Sequence, residues 1–198
     1  MAMTWDERYG AKEYAYGTEP NEFLASVADR LPKGKVLCLA EGEGRNAVYL
    51  ASLGYEVTAV DASPVGMEKA QRLAKERGVE ISTIVSDLAH FEIEPDSWDG
   101  IVSIFCHVPP VIREPLHRKV VAGLRTGGVL VLEAYRPKQI EYGTGGPPVP
   151  ELTMTLEGLR KELEGLEFEH AGELDRDVTE GLYHTGIGAV VQVIAVKP

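Results

Sequence analysis

The run Val36-Leu37-Cys38-Leu39-Ala40-Glu41-Gly42-Glu43-Gly44-Arg45-Asn46-Ala47 passes from an unbroken apolar stretch through a turn with two glycines directly into a helical pattern. Apolar residues without alternation are what a strand covered on both faces needs, and such strands belong to parallel sheets with helices on either side. That strand reads as Lys35 to Ala40, and similar β-rich runs recur at Tyr55 to Val60, Glu80 to Val85, Trp98 to Phe105 and Gly128 to Tyr135. Helical patterns fall between them, at about Arg45 to Leu53, Ser63 to Arg77 and Glu114 to Leu124. Ser63 is placed to cap, Pro64 follows it, and Gly54, Gly78 and Gly127 serve as stops. The link Asp87 to Asp96 is too short and broken for a long helix. Strand and helix alternating in this way predict an α/β fold.

The flanks complete the pattern. Pro20 to Leu31 reads as an amphipathic helix with Phe23, Leu24, Val27 and Leu31 on one face. A Gly/Pro-rich loop, Tyr142 to Pro148, precedes a helix at Leu156 to Leu163 and two strands, Glu167 to Val178 and Gly188 to Val196, expected to form a hairpin. At 198 residues the chain fits a single domain over residues 1–198. Residues 1–34 form an N-terminal cap and helix, 35–136 the βα units, and 137–198 the loop, helix and terminal hairpin.

Charge narrows the partners. The net charge is −11 and the 20 Lys plus Arg are scattered rather than gathered into a basic stripe, so no nucleic acid is expected. No apolar run is long enough to span a bilayer, so no membrane association is expected. The opening Met1-Ala2-Met3-Thr4-Trp5-Asp6-Glu7-Arg8 lacks a secretory pattern, and cytoplasmic residence is the expectation. Cys38 and Cys106 sit in apolar runs, as reduced buried thiols do. Cys106, His107 and His184 make no closely spaced ligand set, so no metal is expected, and His90, His117 and His170 read as surface groups.

The glycine corner is a place for a ligand, because glycines allow close backbone approach and the helix start offers free N–H groups. The next strand ends in Asp61, about 20 residues after the turn, where a Rossmann-type site needs an acceptor for ribose hydroxyls. The third strand ends in Asp87, another carboxylate on the edge where open α/β sheets bind ligands. Gly42-x-Gly44-x-x-Ala47 also satisfies a dinucleotide pattern. Glu41 and Glu43 decide between the two: a pyrophosphate would meet two carboxylates, whereas the ammonium and sulfonium of S-adenosylmethionine would be welcome.

The stretch VLCLAEGEGRNAVYLASLGYEVTAVDAS resembles the first two motifs of class I S-adenosylmethionine-dependent methyltransferases, and WDERYGAKEYAYGTEPNEFL resembles the cap of the tellurite-resistance-type branch. The likeness continues through Val102 to His107 and Leu130 to Tyr135 to the loop Tyr142 to Pro148. It implies a Rossmann-like sandwich on a seven-stranded, mostly parallel sheet whose last strand inserts antiparallel between the fifth and sixth. S-adenosylmethionine is then the expected cofactor, contacted by Ala40, Glu41, Gly42, Gly44, Asn46, Asp61, Ala62, Asp87, Leu88 and Tyr16. Asp61 is assigned to the ribose, Asp87 with the backbone of Leu88 to the adenine edge. Two departures stand out: Cys38 replaces the acidic residue usual in the class and Ala40 replaces a glycine, with Glu41 placed to compensate.

On the acceptor side, His107 is the expected catalytic contact, and Cys106, Glu133, Tyr135, Tyr142 and His184 are expected to bind substrate. The segment Cys106-His107-Val108-Pro109-Pro110 lacks the acidic or amide residue with Pro-Pro-aromatic that base-amino methyltransferases carry, which argues against nucleic-acid bases. Trp5, Tyr9, Tyr14, Tyr16 and Phe23 either roof the cofactor or pin the arm by packing, and the loop Tyr142 to Pro150 is either a lid or a static connection. The expected function is methyl transfer to a small-molecule or metalloid acceptor by in-line displacement. An NAD(P)-dependent oxidoreductase and a noncatalytic S-adenosylmethionine-binding module are the alternatives.

Overall fold

Strand β1 (Lys35–Leu39) is buried from Val36 onward because it has a neighbour on each side and helices on both faces. A computed structural model describes residues 4–198; the first three residues of the expected N-terminal cap lie outside the described residues. Around β1 stand β2 (Glu56–Asp61), β3 (Ser82–Val85), β4 (Trp98–Ile104), β5 (Leu124–Tyr135), β6 (Glu167–Glu180) and β7 (His184–Val196). The sheet order is β3-β2-β1-β4-β5-β7-β6. Strands β1 to β5 pair in parallel, while β7 runs antiparallel to both β5 and β6. This is the mostly parallel seven-stranded sheet expected, with the last strand between the fifth and sixth.

Side chains alternate between two cores. Val36, Cys38, Val129 and Val131 pack with helices α2 (Glu22–Val27), α3 (Arg45–Ser52) and α4 (Pro64–Arg77). Leu37, Leu39, Leu130 and Leu132 pack on the other face with α5 (Pro110–Gly123) and α7 (Leu156–Glu162). A short helix α1 (Trp5–Tyr9) opens the described chain, capped reciprocally by Thr4 and Glu7, and α6 (Gln139–Tyr142) leads into the Gly/Pro loop. No helix among the described residues is long and apolar enough to cross a membrane.

Several local expectations need correction. The helix expected from Pro20 starts after Asn21, whose side chain caps it by accepting the Leu24 N–H, and it tightens into a 3-10 turn at Ala28–Arg30. Helix α5 starts at Pro110, four residues before the expected Glu114, and continues through Pro115, which lacks only a solvent-side amide bond. Its partner α7 turns His117 inward, so the expected surface histidine is buried with Nδ1 2.7 Å from Glu162 Oε2. The hairpin strands extend further toward their turn than expected, which makes His184 the first residue of β7, paired with Glu180.

Candidate functional site

The glycine corner is built by close approaches. Ala40, where a glycine was missed, adopts φ +49°, and Gly42 and Gly44 follow at +62° and +89°. A Cβ on Gly44 would lie 2.5 Å from that of Ala70, so this glycine lets α4 approach the turn. One on Gly42 would lie 2.6 Å from Tyr9 Oη. Glu41 folds its carboxylate onto the first turn of α3, where Oε1 accepts the N–H groups of Asn46 and Ala47 at 2.9 and 2.8 Å. Burial pushes the Glu41 carboxyl up to about 7 against these bonds and the nearby Arg45.

Glu43 is oriented otherwise than expected. Its carboxylate turns to the N-terminal arm, taking the Ala15 N–H at 2.7 Å and lying 2.5 Å from Lys69 Nζ. Its charge is therefore neutralised, and the case against a pyrophosphate rests on Glu41 alone, which already occupies the amide groups a phosphate would need. Lys69 was not anticipated from the sequence. Buried on α4, it also donates to the carbonyls of Tyr9, Ala11 and Glu13, and so anchors the arm across the corner.

At the end of β2, Asp61 is 7% exposed, with one oxygen taking the Gly42 N–H and the other the Ser63 N–H, each at 2.9 Å. These amides leave the carboxylate with acceptor capacity, which a vicinal diol would use. Burial raises the Asp61 carboxyl, opposed by those amides. Ala62 beside it is exposed. At the end of β3, Asp87 is exposed and accepts the Ala89 N–H at 2.9 Å, while Leu88 is buried. Glu41, Asp61 and Asp87 thus stand at three consecutive parallel strand ends. Such acceptors suit a ligand carrying hydroxyls, an amine and positive charge.

Beyond β4 and β5 lies an aromatic box. Phe105, with φ +52°, stacks on Tyr135 at 4.6 Å between ring centres, and His184 meets Phe105, Tyr16 and Tyr135 at 4.8, 4.7 and 5.4 Å. His107 lies 5.6 Å from Tyr135. Four expected site residues, Tyr16, His107, Tyr135 and His184, are thereby brought together, and Phe105 joins them without any sequence signal. Tyr9 covers the corner and Phe23 joins the core, so the arm aromatics divide between roofing and packing.

The other expected residues sit differently. Both nitrogens of His107 are committed: Nδ1 donates to the Leu152 carbonyl at 2.9 Å and Nε2 accepts the Tyr135 N–H at 3.3 Å. Burial lowers its pKa to about 4. Cys106 is enclosed, and burial pushes its thiol up to about 12. Glu133 is fully buried, accepting from Asn21, Arg176 and Gln192 at 2.6 to 2.8 Å, and has no face toward a substrate. Tyr142 donates to Asp175 at 2.8 Å, away from the box.

The Gly/Pro loop is docked on the box. A Cβ on Gly146 would lie 2.7 Å from the Tyr135 ring, and one on Gly145 2.4 Å from the Tyr183 carbonyl. Thr144 adds a bond to the Ile187 carbonyl at 2.6 Å. A separate cavity of about 220 Å³ between α5 and α7, lined by Arg113, Met154 and Leu159 among others, shares no residue with the strand-end carboxylates or the box.

Comparison with known proteins agrees with this geometry. Residues 36–128 match a family described as a methyltransferase domain. The probable S-adenosyl-L-methionine-dependent methyltransferase TehB of Haemophilus influenzae (strain ATCC 51907 / DSM 11121 / KW20 / Rd) is 36% identical over 97 residues, 49% of this chain and 33% of that protein. The uncharacterized methyltransferase YbaJ of Bacillus subtilis (strain 168) is 32% identical over 113 residues, 56% of this chain and 44% of its own. The chain spans less than half the length of these curated relatives. The solved structure of TehB from Haemophilus influenzae has a TM-score of 0.72 at 21% identity, covering 90% of this chain and 62% of that one. A protein solved for the conversion of a disulfide bond into a thioacetal group during echinomycin biosynthesis has a TM-score of 0.78 at 19% identity, covering 97% and 87%. The matched residues make this part of the chain similar to a methyltransferase domain, and the fold is the one those structures share. Two of the similar relatives are TehB proteins described as probable S-adenosyl-L-methionine-dependent methyltransferases.

Proposed function

We propose that this chain binds S-adenosylmethionine across the ends of β1, β2 and β3 and directs its methyl group to a small, soft acceptor held in the aromatic box. The observation that carries this is the set of Glu41, Asp61 and Asp87 on consecutive strand ends beside that box. When bound, S-adenosylmethionine supplies an electrophilic methyl group, the departing sulfur keeping the bonding pair and becoming neutral. Asp61 would hold the ribose hydroxyls, Asp87 with Leu88 the adenine edge, and Glu41 the positive methionine end. The arm residues Tyr9 and Tyr16 would exclude water. Polarisable aromatic walls at Phe105 and Tyr135 favour an acceptor whose reacting atom is soft, such as the sulfur of a thiol or the lone-pair-bearing centre of a reduced metalloid.

A nicotinamide dinucleotide is disfavoured because Glu41 occupies the helix start its pyrophosphate would use. Calorimetric titration with S-adenosylmethionine, S-adenosylhomocysteine and NAD, on the parent and Asp61→Asn, tests the proposal. Micromolar binding of the first two, absent for NAD and weakened at least about tenfold in Asp61→Asn, is expected. Binding of NAD alone would overturn it, and binding without turnover on any thiol or metalloid would favour the noncatalytic module.

A further inference from the structure

Five histidines occur in the chain. His90 and His170 are exposed, His117 lies on the far face against Glu162, and His107 has both nitrogens bonded. His184 is different. It is 5% exposed, its Nδ1 lies 3.3 Å from Glu180 Oε2, and its Nε2 has no protein partner among the described residues. The described polar atoms that are both enclosed and unpartnered, apart from the ion-paired Glu43 Oε1, belong to Arg8, Trp98 and Arg136. His184 Nε2 is not among them, and the residue keeps 5% of its surface accessible.

We propose that Glu180 and His184 form a carboxylate–imidazole pair in which His184 Nε2 takes the proton from a proton-bearing acceptor, with Glu180 as its positioning residue. This rests on the methyl-transfer reading above. Glu180 is built to remain a carboxylate. Its Oε2 takes Arg45 Nη2 at 2.6 Å and its Oε1 takes Asn21 Nδ2 at 3.0 Å. A carboxylate so held only accepts, so Nδ1 of His184 must donate, and the lone pair is left on Nε2. Cross-strand pairing of Glu180 with His184 fixes their approach, and Arg45, the first residue of α3, ties the pair to the glycine corner. The ring faces Tyr16 of the arm, Phe105 after β4 and Tyr135 of β5.

The groups around the imidazole set its charge. Burial, Arg45 of α3, Arg176 of β6 and His107 after β4 favour the neutral ring; Glu180 favours the cation but does not outweigh them. A neutral imidazole with an open lone pair is ready as a base. In the step, the acceptor's S–H or O–H proton moves to Nε2 and its bonding pair stays on the acceptor atom as the nucleophilic pair. The imidazolium is stabilised by Glu180 and later gives the proton to water.

Long-range 1H–15N spectra of the ligand-free protein near neutral pH read the tautomer directly. A protonated Nδ1 with bare Nε2 at His184, moving toward the other tautomer in Glu180→Gln, is expected; an Nε2–H tautomer or an imidazolium in the parent would overturn the proposal. Turnover with S-adenosylmethionine is then compared on 2-mercaptoethanol, whose proton must leave, and on iodide, which has none. His184→Gln should lose about 100-fold more turnover on the thiol than on iodide. Equal loss on both would remove the base role. Calorimetry with S-adenosylhomocysteine separates the two layers: its failure in the parent strikes the methyl-transfer reading, while intact binding with the wrong tautomer strikes this inference alone.

Discussion

Replacing Lys69 by methionine tests whether one buried cation holds the arm across the glycine corner. Lys69 Nζ lies 2.5 Å from Glu43 Oε1, with the side chains 5% and 4% exposed. Methionine is close to the lysine stem in volume and carries no charge, so Glu43 would keep only the Ala15 N–H at 2.7 Å in a site closed to water. Removing one partner of a buried pair costs about 3–5 kcal/mol, because the orphaned ion has lost its hydration without compensation. The carbonyls of Tyr9, Ala11 and Glu13 lose a donor as well, but two of the three contacts are only part-buried, and water replaces them as the arm loosens. A domain of this size loses about 2–4 °C of melting temperature per kcal/mol, so Lys69→Met should melt roughly 6–20 °C below the parent. Urea unfolding gives the free energy independently. The double variant Lys69→Met with Glu43→Gln removes the orphaned charge and should recover more than half of the loss. A single-variant loss below about 1 kcal/mol, the worth of an exposed pair, would refute the reasoning. A double variant no better than the single would assign the hold to the carbonyl contacts.

Glu41 makes a prediction about protons. With its carboxyl raised from 4.5 to about 7, the folded state binds a proton that the unfolded state has lost, so its contribution to stability is full below 4.5 and is lost as pH rises through 7. A cation seated against it reverses the shift, so S-adenosylmethionine should release a proton on binding near neutral pH; heats that do not vary with buffer ionisation enthalpy, or that vary equally in Glu41→Gln, would exclude this. Glu162 and Glu180 act in the opposite sense. Burial alone would raise both, but bonds from His117 and Arg113 to the first, and from His184 and Arg45 to the second, hold them down to about 2. Their contribution is present above 4.5 and lost as pH falls toward 2, so Glu162→Gln should flatten the acid limb of the melting profile. Gly146→Ala, at φ +85° with its Cβ 2.7 Å from the Tyr135 ring, should cost about 2 kcal/mol or more and alter the near-ultraviolet circular dichroism of the box. Gly143→Ala, at φ +63° in open space, should cost about 1 kcal/mol and leave that signal unchanged.

What the chain reveals locally and what it hides divide along physical lines. The central strands, the glycine corner and the positions of Asp61 and Asp87 follow from apolar runs and turn chemistry, because parallel strands bring their carboxyl ends to one edge without further information. Partners do not follow. Glu43 reads as a charge in the crevice because the sequence shows the carboxylate but not Lys69, which α4 brings to it. Glu133 reads as a rim residue because it stands on a strand close to the carboxyl edge, whereas Asn21, Arg176 and Gln192 come from the arm and the hairpin to enclose it. The hairpin reads short at its turn end for a related reason: Gly186 resembles a breaker ahead of the strand expected from Gly188, yet His184 to Ile187 pair across the ladder with Glu180 to Asp177.

The two histidines of the box show how far a positional rule carries. His107 follows β4, and its place at the carboxyl edge marks it as a candidate from chain order alone. Its lone pair is nevertheless taken by the Tyr135 amide and its proton by the Leu152 carbonyl, both supplied by segments well downstream. His184 carries the weaker sequence signal, a residue beside a glycine turn four places after a glutamate, yet it keeps an open nitrogen. Strand ends determine which side chains gather at the edge of the sheet, but proton transfer requires an unengaged lone pair, and only the packed neighbours decide which imidazole retains one.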